Sequence, residues 1–351
     1  MKNVQLYPVS GVFESRLHRS MLAAQESKQF DSIVFVGVGS VNPIFVDVNV
    51  KIQLVSPTVR FVKLCYLWTV FKILFSEKKA IVNVHNWYSL IPCILLFWRH
   101  VYLYEPHEVE SGTSYGRRIR YLIILTEYIA IKFIVNYCIF VGVVAQNKYR
   151  NLYGTIQSEV IYSISDVSEG SFKSENKDQK DAYVGLLTFG RGLDELINAY
   201  SDFDRKLLII GHGPLRNHLI DKCIDKPNIS FLDSLNADDL HAVLAKCTLA
   251  FSFFSNPTES NKSASPNKFF QYLKAQLFVV CSTGGDQANL VAEYGIGKVV
   301  KNLNKQIITD ILNKMPDTDE LKERFEAVNA RYSYDVQLEK YLKIYQRSAN
   351  D

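Results

Sequence analysis

At 351 residues with 48% hydrophobic side chains, the chain is long for a single core and natural for two α/β domains. Its formal net charge of +4 divides unevenly: residues 1 to 165 hold 17 Lys+Arg against 10 Asp+Glu, net +7, and the remainder hold 23 against 26, net −3. This charge is too small for a duplex footprint and no recognised binding motif accompanies it, so nucleic acid is excluded as a partner.

The first half reads as an open α/β domain. A strand near Asn3 to Val9 leads through Ser10-Gly11 to a helix around Arg16 to Ser27, and then to a strand from Ser32 to Val38. Apolar runs follow at Ala80 to Val84 and Val101 to Tyr104, each ending in a polar cluster that contains histidine. No Gly-x-Gly-x-x-Gly occurs in this half, so a dinucleotide reading is unsupported. Arg117, Arg118 and Arg120 beside Tyr115 and Tyr121 suit an anionic membrane or lipid-linked partner, or else form a solvated helix face. Leu122 to Ala145 is long enough to span a bilayer, but Glu127, Lys132 and Asn136 interrupt it; His85, Pro92, Arg99 and His100 interrupt residues 81 to 104 in the same way. Both runs fit buried elements, so the expectation is peripheral membrane contact at most.

Gly170 to Lys180 reads as a polar linker. Beyond it the pattern alternates: strand Tyr183 to Phe189, helix Leu193 to Tyr200, strand Lys206 to Ile210, helix Leu215 to Cys223, strand Ile229 to Leu232, helix Ala237 to Cys247 and strand Leu249 to Phe254. A helix opening at Ser265-Pro266, a strand Phe278 to Ser282 and a helix around Gln287 to Tyr294 complete a parallel sheet covered on both faces. Ser333 to Arg347 has aromatic and leucine residues at helical spacing. Six cysteines without a Cys-x-x-Cys pair read as core thiols of a reducing compartment, and the amino terminus lacks the apolar stretch of a secretion signal; the expected location is cytoplasmic.

The most specific signal is Ser265-Pro266-Asn267-Lys268-Phe269-Phe270-Gln271-Tyr272. Serine before proline starts a helix whose free amides, dipole and nearby Lys268 favour an anion. This segment resembles the nucleotide-sugar helix of retaining, group 1 type glycosyltransferases of GT-B architecture. It departs from them at Gln271, where the family usually has a ribose-binding glutamate, and at Ser263, where many members have a second acidic residue. Gly190-Arg191-Gly192 resembles the family's basic turn on the donor diphosphate, and Gly211-His212-Gly213-Pro214 its glycine turn; the arginine that often follows the strand glycine is Leu186 here. Arginine suits a diphosphate because its planar donors bind two oxygens at once. Val84-His85-Asn86 and Tyr104-Glu105-Pro106-His107-Glu108 resemble two histidine-bearing strand ends of the N-terminal domain.

The resemblance implies an α/β, GT-B chain of two Rossmann-like doubly wound domains facing a central cleft. Residues 1–168 would recognise the acceptor, residues 181–330 the nucleotide sugar, and residues 331–351 would form a helix crossing back to the first domain. It implies transfer of a sugar from a nucleotide diphosphate sugar to a glycan or lipid-linked glycan, with retention, in surface polysaccharide assembly at the inner face of the cytoplasmic membrane. His107 and Glu108, then His85, are the candidates for sugar or acceptor contacts; Arg191, Gly211, Gly213, Ser265, Asn267, Lys268 and Gln271 are the candidates for the donor. No cofactor is expected. The seven histidines lack metal-ligand spacing, and the resemblance implies a metal-free site in which Arg191, Lys268 and helix amides neutralise the leaving group. Two other readings stay open: an epimerase on this fold using Glu108 with Glu259 or Glu293, and a degenerate nucleotide-binding or partner protein, motivated by Gln271 and Ser263.

Overall fold

The computed structural model describes residues 1–8, 15–40, 48–107, 109, 116–164, 180–255 and 267–350. The chain divides into two compact units, one of Met1–Ser163 with Asp335–Asp351, the other of Ile164–Tyr334.

The first unit is built on a seven-stranded sheet: β1 Lys2–Leu6, β2 Ser32–Val38, β3 Val50–Val55, β4 Ala80–Val84, β5 Val101–Tyr104, β6 Val135–Phe140 and β7 Ser158–Val160. The order is β3-β2-β1-β4-β5-β6-β7 and all pairs are parallel. Strands β4 and β5 are buried along their whole length, which is why their sequences are apolar runs rather than alternating ones. Helices α1 Ser15–Glu26, α2 Val62–Ser76, α3 Leu90–Leu95, α4 Arg117–Phe133 and α5 Val143–Tyr153 connect them. Helices α2 to α5 bury Tyr66, Val70, Leu90, Ala130 and Tyr149 against one face. Leu17 and Met21 of α1 and Tyr341, Ile344 and Tyr345 of the final helix, Tyr334–Asn350, cover the other.

The run from Leu122 to Ala145 is therefore three elements: most of α4, all of β6 and the start of α5. No helix among the described residues is long and apolar enough to cross a membrane. The charge that interrupts the run, Glu127, is buried and accepts hydrogen bonds from the hydroxyls of Tyr104, Tyr149 and Tyr153 at 2.6, 2.7 and 2.6 Å. Burial raises its carboxyl above the usual range, and the three tyrosine hydrogen bonds oppose that rise. None of the six cysteines is joined in a disulfide, and all but Cys65 are buried.

The second unit repeats the plan with β8 Lys180–Val184, β9 Lys206–Ile210, β10 Ile229–Leu232, β11 Leu249–Ser252, β12 Phe278–Ser282 and β13 Gly297–Val300, ordered β10-β9-β8-β11-β12-β13 and parallel throughout. Its first helices are α6 Leu193–Tyr200, α7 Arg216–Lys222, α8 Ala237–Leu244 and α9 Asn267–Lys274. In both units the chain leaves the first strand toward one edge and then crosses to the other, so each sheet has one switch point, at β1/β4 and at β8/β11.

The strand expected at Tyr183 to Phe189 runs instead from Lys180 to Val184, and the first strand ends at Leu6 rather than Val9. Lys180, assigned to the linker by composition, begins β8; residues 170–179 lie outside the described ones. Strands β3 and β13 and the helices α2, Lys305–Asn313 and Thr318–Arg331 were not anticipated from the pattern.

Asp181 fastens the amino end of this sheet. Buried in β8, it accepts two hydrogen bonds from the Arg205 guanidinium at 2.7 and 2.6 Å, one from Tyr200 Oη at 2.6 Å and one from the Leu249 amide at 3.0 Å. Removing the carboxylate leaves a half-buried cation and two other donors, the Tyr200 hydroxyl and the Leu249 amide, unmatched. Asp181→Ala should lower the unfolding free energy by about 3 kcal/mol in denaturant titration; a change below about 0.5 kcal/mol would show that the cluster is held by packing alone.

Candidate active-site residues in each unit

In the second unit the carboxyl ends of β8, β9 and β11 come together through glycines. Gly211 and Gly213, at φ 144° and 151°, occupy backbone regions that only glycine adopts comfortably. A Cβ on Gly211 would lie 2.1 Å from the Gly185 carbonyl oxygen, and one on Gly213 would lie 2.4 Å from that of Leu187. The turn is laced to the loop after β8 by Gly185 N–H to Ile210 O at 2.9 Å, Leu187 N–H to His212 O at 2.8 Å and Leu215 N–H to Leu187 O at 3.0 Å. These glycines thus serve a backbone-to-backbone approach. His212 is bonded to Ser234 at 2.7 Å.

Above this platform lie Lys268, from the first turn of α9, and Arg191, from the turn before α6. Lys268 is buried, its ammonium 4.1 Å from the centre of the Tyr183 ring and against the open face of Gly185. Arg191 is half-buried and stacks over Phe254 at 4.9 Å. Burial, with Arg191 beside it, brings the Lys268 amine down to about 7. Two cations meet here at a switch point, and among the described residues no carboxylate pairs with Lys268.

Asn267 opens α9 and is half-buried. Gln271, one turn on, is also half-buried and walls a small, mostly apolar hollow of about 20 Å³ with Leu240, Leu244 and Phe270. Ser265 and Ser263 lie outside the described residues, as do Glu108 and Glu259. Glu293 is exposed and paired with Arg331 at 3.3 Å. Two Asp-x-Asp triplets exist: Asp202-Phe203-Asp204 precedes β9, at the opposite end of the sheet, and Asp317 caps a helix by accepting from the Glu320 amide at 2.9 Å. One Gly-x-Ser-x-Gly string, Gly112 to Gly116, precedes α4, well beyond the end of β5, and its residues 112–115 lie outside the described ones.

In the first unit His85 follows β4 and His107 follows β5. His85 Nδ1 lies 3.0 Å from His107 Nε2, and His85 Nε2 lies 2.6 Å from Gln5 Oε1. The Gln5 amide nitrogen donates to Asn3 Oδ1 at 2.6 Å, and Asn3 Nδ2 donates to Asn83 Oδ1 at 2.9 Å. Parallel register brings these groups into line, with Asn3 opposite Ile81 and Gln5 opposite Asn83. Because the Gln5 oxygen is the acceptor, His85 carries its proton on Nε2 and accepts on Nδ1, so His107 carries its proton on Nε2. Both nitrogens of His85 are thus engaged inside the protein. Burial keeps both rings neutral: His85 falls to about 3 and His107 well below the usual value.

Sequence reasoning singled out the two histidines and missed their setting. Glu105, buried between them and the final helix, accepts from Tyr341 Oη at 2.5 Å and lies 3.7 Å from His85 Nδ1. Arg16 donates to the His107 carbonyl at 2.5 Å, and Tyr7 packs on the His107 ring at 4.7 Å. The available signal was the polar pair Asn3 and Gln5, two apart and both buried in the first strand between Lys2 and Leu6. His85, Glu105 and His107 place donor atoms within 4.8 Å of one another, the span of a metal's ligand set, but the charges of Arg16 and Arg19 act on Glu105 and His107 and oppose a cation there.

No protein-family model matches the sequence, and no curated protein does. Among solved structures the chain is similar to HepE of Anabaena in complex with UDP, at 13% identity and a TM-score of 0.74, over 99% of this chain and 100% of that one. It is likewise similar to a glycosyltransferase from Rickettsia africae (14% identity, TM-score 0.72, 99% and 98% covered). A sucrose-phosphate synthase from Thermosynechococcus elongatus gives 13% identity, a TM-score of 0.71 and coverage of 99% and 98%. The fold is GT-B.

Burial raises the Glu105 carboxyl from 4.5 to about 7, against the hydrogen bonds of Tyr341 and Ser20 and the charges of Arg19 and Arg16. An acid whose folded value is raised stabilises the fold fully below its unfolded value, and that contribution is lost as pH rises toward 7. The histidines act in the opposite sense, losing stability as pH falls below 6.5. Glu105→Gln should remove only the first contribution. In urea titrations, the stability of the wild type relative to Glu105→Gln should decline between pH 4.5 and 7, at most by about 1.4 kcal/mol per unit, and be level above. A difference that does not vary with pH contradicts the assignment.

Proposed function

We propose that this GT-B chain is a glycosyltransferase that moves a sugar from a nucleotide diphosphate sugar to a glycan or lipid-linked glycan acceptor in surface polysaccharide assembly. The observation that carries the reading is the pair of cations, Lys268 and Arg191, brought together over Gly185 at the β8/β11 switch point, where ligands of doubly wound sheets bind. A diphosphate is the ligand chemistry such a pair fits: the guanidinium can grip two oxygens, and the amine regains its proton against the added negative charge. The bound UDP of the similar HepE structure agrees with that ligand class.

The anomeric C–O bond to the diphosphate breaks as a bond to the acceptor oxygen forms, with retention, and the acceptor proton passes to the departing diphosphate. Arg191 and Lys268 stabilise the charge that develops on the leaving group, the task a metal ion serves in other transferases. The second unit holds the donor; the first recognises the acceptor, with the neutral, oriented ring of His107 as its hydrogen-bonding group toward a sugar hydroxyl. Asn267 and Gln271 supply amide contacts, Gln271 serving as a neutral ribose acceptor in place of a carboxylate. The enzyme works at the inner face of the cytoplasmic membrane, where a lipid-linked acceptor presents its glycan.

Lys268→Ala and Arg191→Ala should each weaken UDP binding by about 1 to 3 kcal/mol, measured calorimetrically on folded variants. Unchanged affinity in both would remove the donor site from this position. Gln271→Glu should bind more tightly through the ribose; weaker binding would mean that the glutamine reads a different group.

A further inference from the structure

Helix α2 carries two stripes. Tyr66, Val70 and Leu74 face the core, whereas Phe61 just before the helix, then Leu64, Trp68 and Phe75, recur at helical spacing on the outside, each more than half exposed. Trp68, Phe71 and Phe75 stack in sequence at 5.6 and 5.9 Å, forming a continuous aromatic ladder along the surface. Helix α4 repeats the pattern: Ile123, Ala130 and Ile131 point inward, while Leu122, Leu125 and Phe133 are exposed, Phe133 at 72%. Helix α3 packs against both α2 and α4, and its last residue Leu95 is exposed together with Phe97 and Trp98 of the turn that follows. The three elements lie on the same side of the sheet, so the exposed apolar side chains gather on one side of the first unit. A water-soluble surface rarely leaves so many large apolar groups together without a partner.

The charge on these elements has one sign. Residues 59–76, 87–100 and 116–134 contain Arg60, Lys63, Lys72, Arg99 and Lys132 together with the trio Arg117, Arg118 and Arg120 at the start of α4. Their single acidic residue, Glu127, is buried beneath three tyrosines. A second copy of this chain would bring like charges face to face, whereas an anionic lipid headgroup layer complements them. Tryptophan and tyrosine mixed with arginine around an apolar centre is the composition that settles at the boundary of headgroups and acyl chains. Arg117 over the Tyr121 ring at 5.7 Å and Arg60 over Phe61 at 4.9 Å already pair cation with aromatic group at the rim.

We infer that the α2–α3–α4 face is a docking surface for an anionic bilayer, with Trp68, Trp98, Leu125 and Phe133 entering the interface and the α4 arginines contacting lipid phosphates. The inference deepens the reading of a lipid-linked acceptor by naming the surface that brings the enzyme to it, and its test does not depend on transfer.

Flotation of the full chain with vesicles of phosphatidylcholine and phosphatidylglycerol in equal amounts tests it, with phosphatidylcholine alone as the uncharged arm. Binding to the anionic vesicles, weakened by salt, is expected together with a blue shift of tryptophan emission. Two of the three tryptophans lie on the face, and the third, Trp87, is already buried. Trp68→Ala should weaken vesicle binding about tenfold, and Arg117→Ala, Arg118→Ala and Arg120→Ala together about a hundredfold. Both variants should keep wild-type affinity for UDP, which separates failure of this surface from failure of the donor site. Absence of binding to anionic vesicles, or binding that neither variant weakens, overturns the proposal. Self-association that Trp68→Ala abolishes, without vesicle binding, assigns the face to a protein partner and overturns it too.

Discussion

A buried amine beside a guanidinium, with no carboxylate among the described residues to offset it, is an arrangement that folding alone disfavours. Lys268 loses hydration against Tyr183 and Gly185 and gains repulsion from Arg191, and both effects lower its proton affinity. The surrounding architecture is what holds it. Gly185 offers the open face on which the Lys268 side chain rests, Gly211 and Gly213 let two strand-end loops touch backbone to backbone, and Asp181 fastens the opposite end of the same strand. An anion placed beside the two cations would offset this electrostatic cost.

The first unit solves a different problem with the same topology. Its switch point holds neutral rings rather than cations, oriented by a chain of amides through Gln5, Asn3 and Asn83. Both histidines stay unprotonated because they are buried, His107 also beside His85, Arg16 and Arg19, while burial raises the Glu105 carboxyl. The result is a buried hydrogen-bonding chain of fixed polarity and little charge. The charge that this unit does display lies elsewhere, on α2 and α4, among exposed aromatic side chains.

Much of the second unit was legible in the chain because its elements are short apolar runs separated by glycine turns: β9 and α6 fall where the pattern places them. Strand β8 was placed three residues late for a physical reason. Leu187 continues the apolar run and is fully buried, but Gly185 at φ 137° takes the backbone out of the sheet, so core burial persists where pairing has stopped. Strand β3 alternates at the sheet edge, where a half-exposed strand leaves a weak signal. The cations of the site could be read from local motifs, Gly190-Arg191-Gly192 and Pro266-Asn267-Lys268. Tyr183 beneath Lys268, and Gln5 and Glu105 around the histidines, could not, because their roles come from strand register and from a helix more than two hundred residues away in the chain, which no local spacing encodes.

With its amine brought down to about 7 by burial beside Arg191, Lys268 would take up a proton as a diphosphate binds. Calorimetric titration of UDP into the full chain at about pH 8, in two buffers of different ionisation enthalpy, reads that proton directly. Uptake of close to one proton per UDP bound, lost in Lys268→Met, is the predicted result. Binding without proton uptake, or with the same uptake in the variant, would contradict the account.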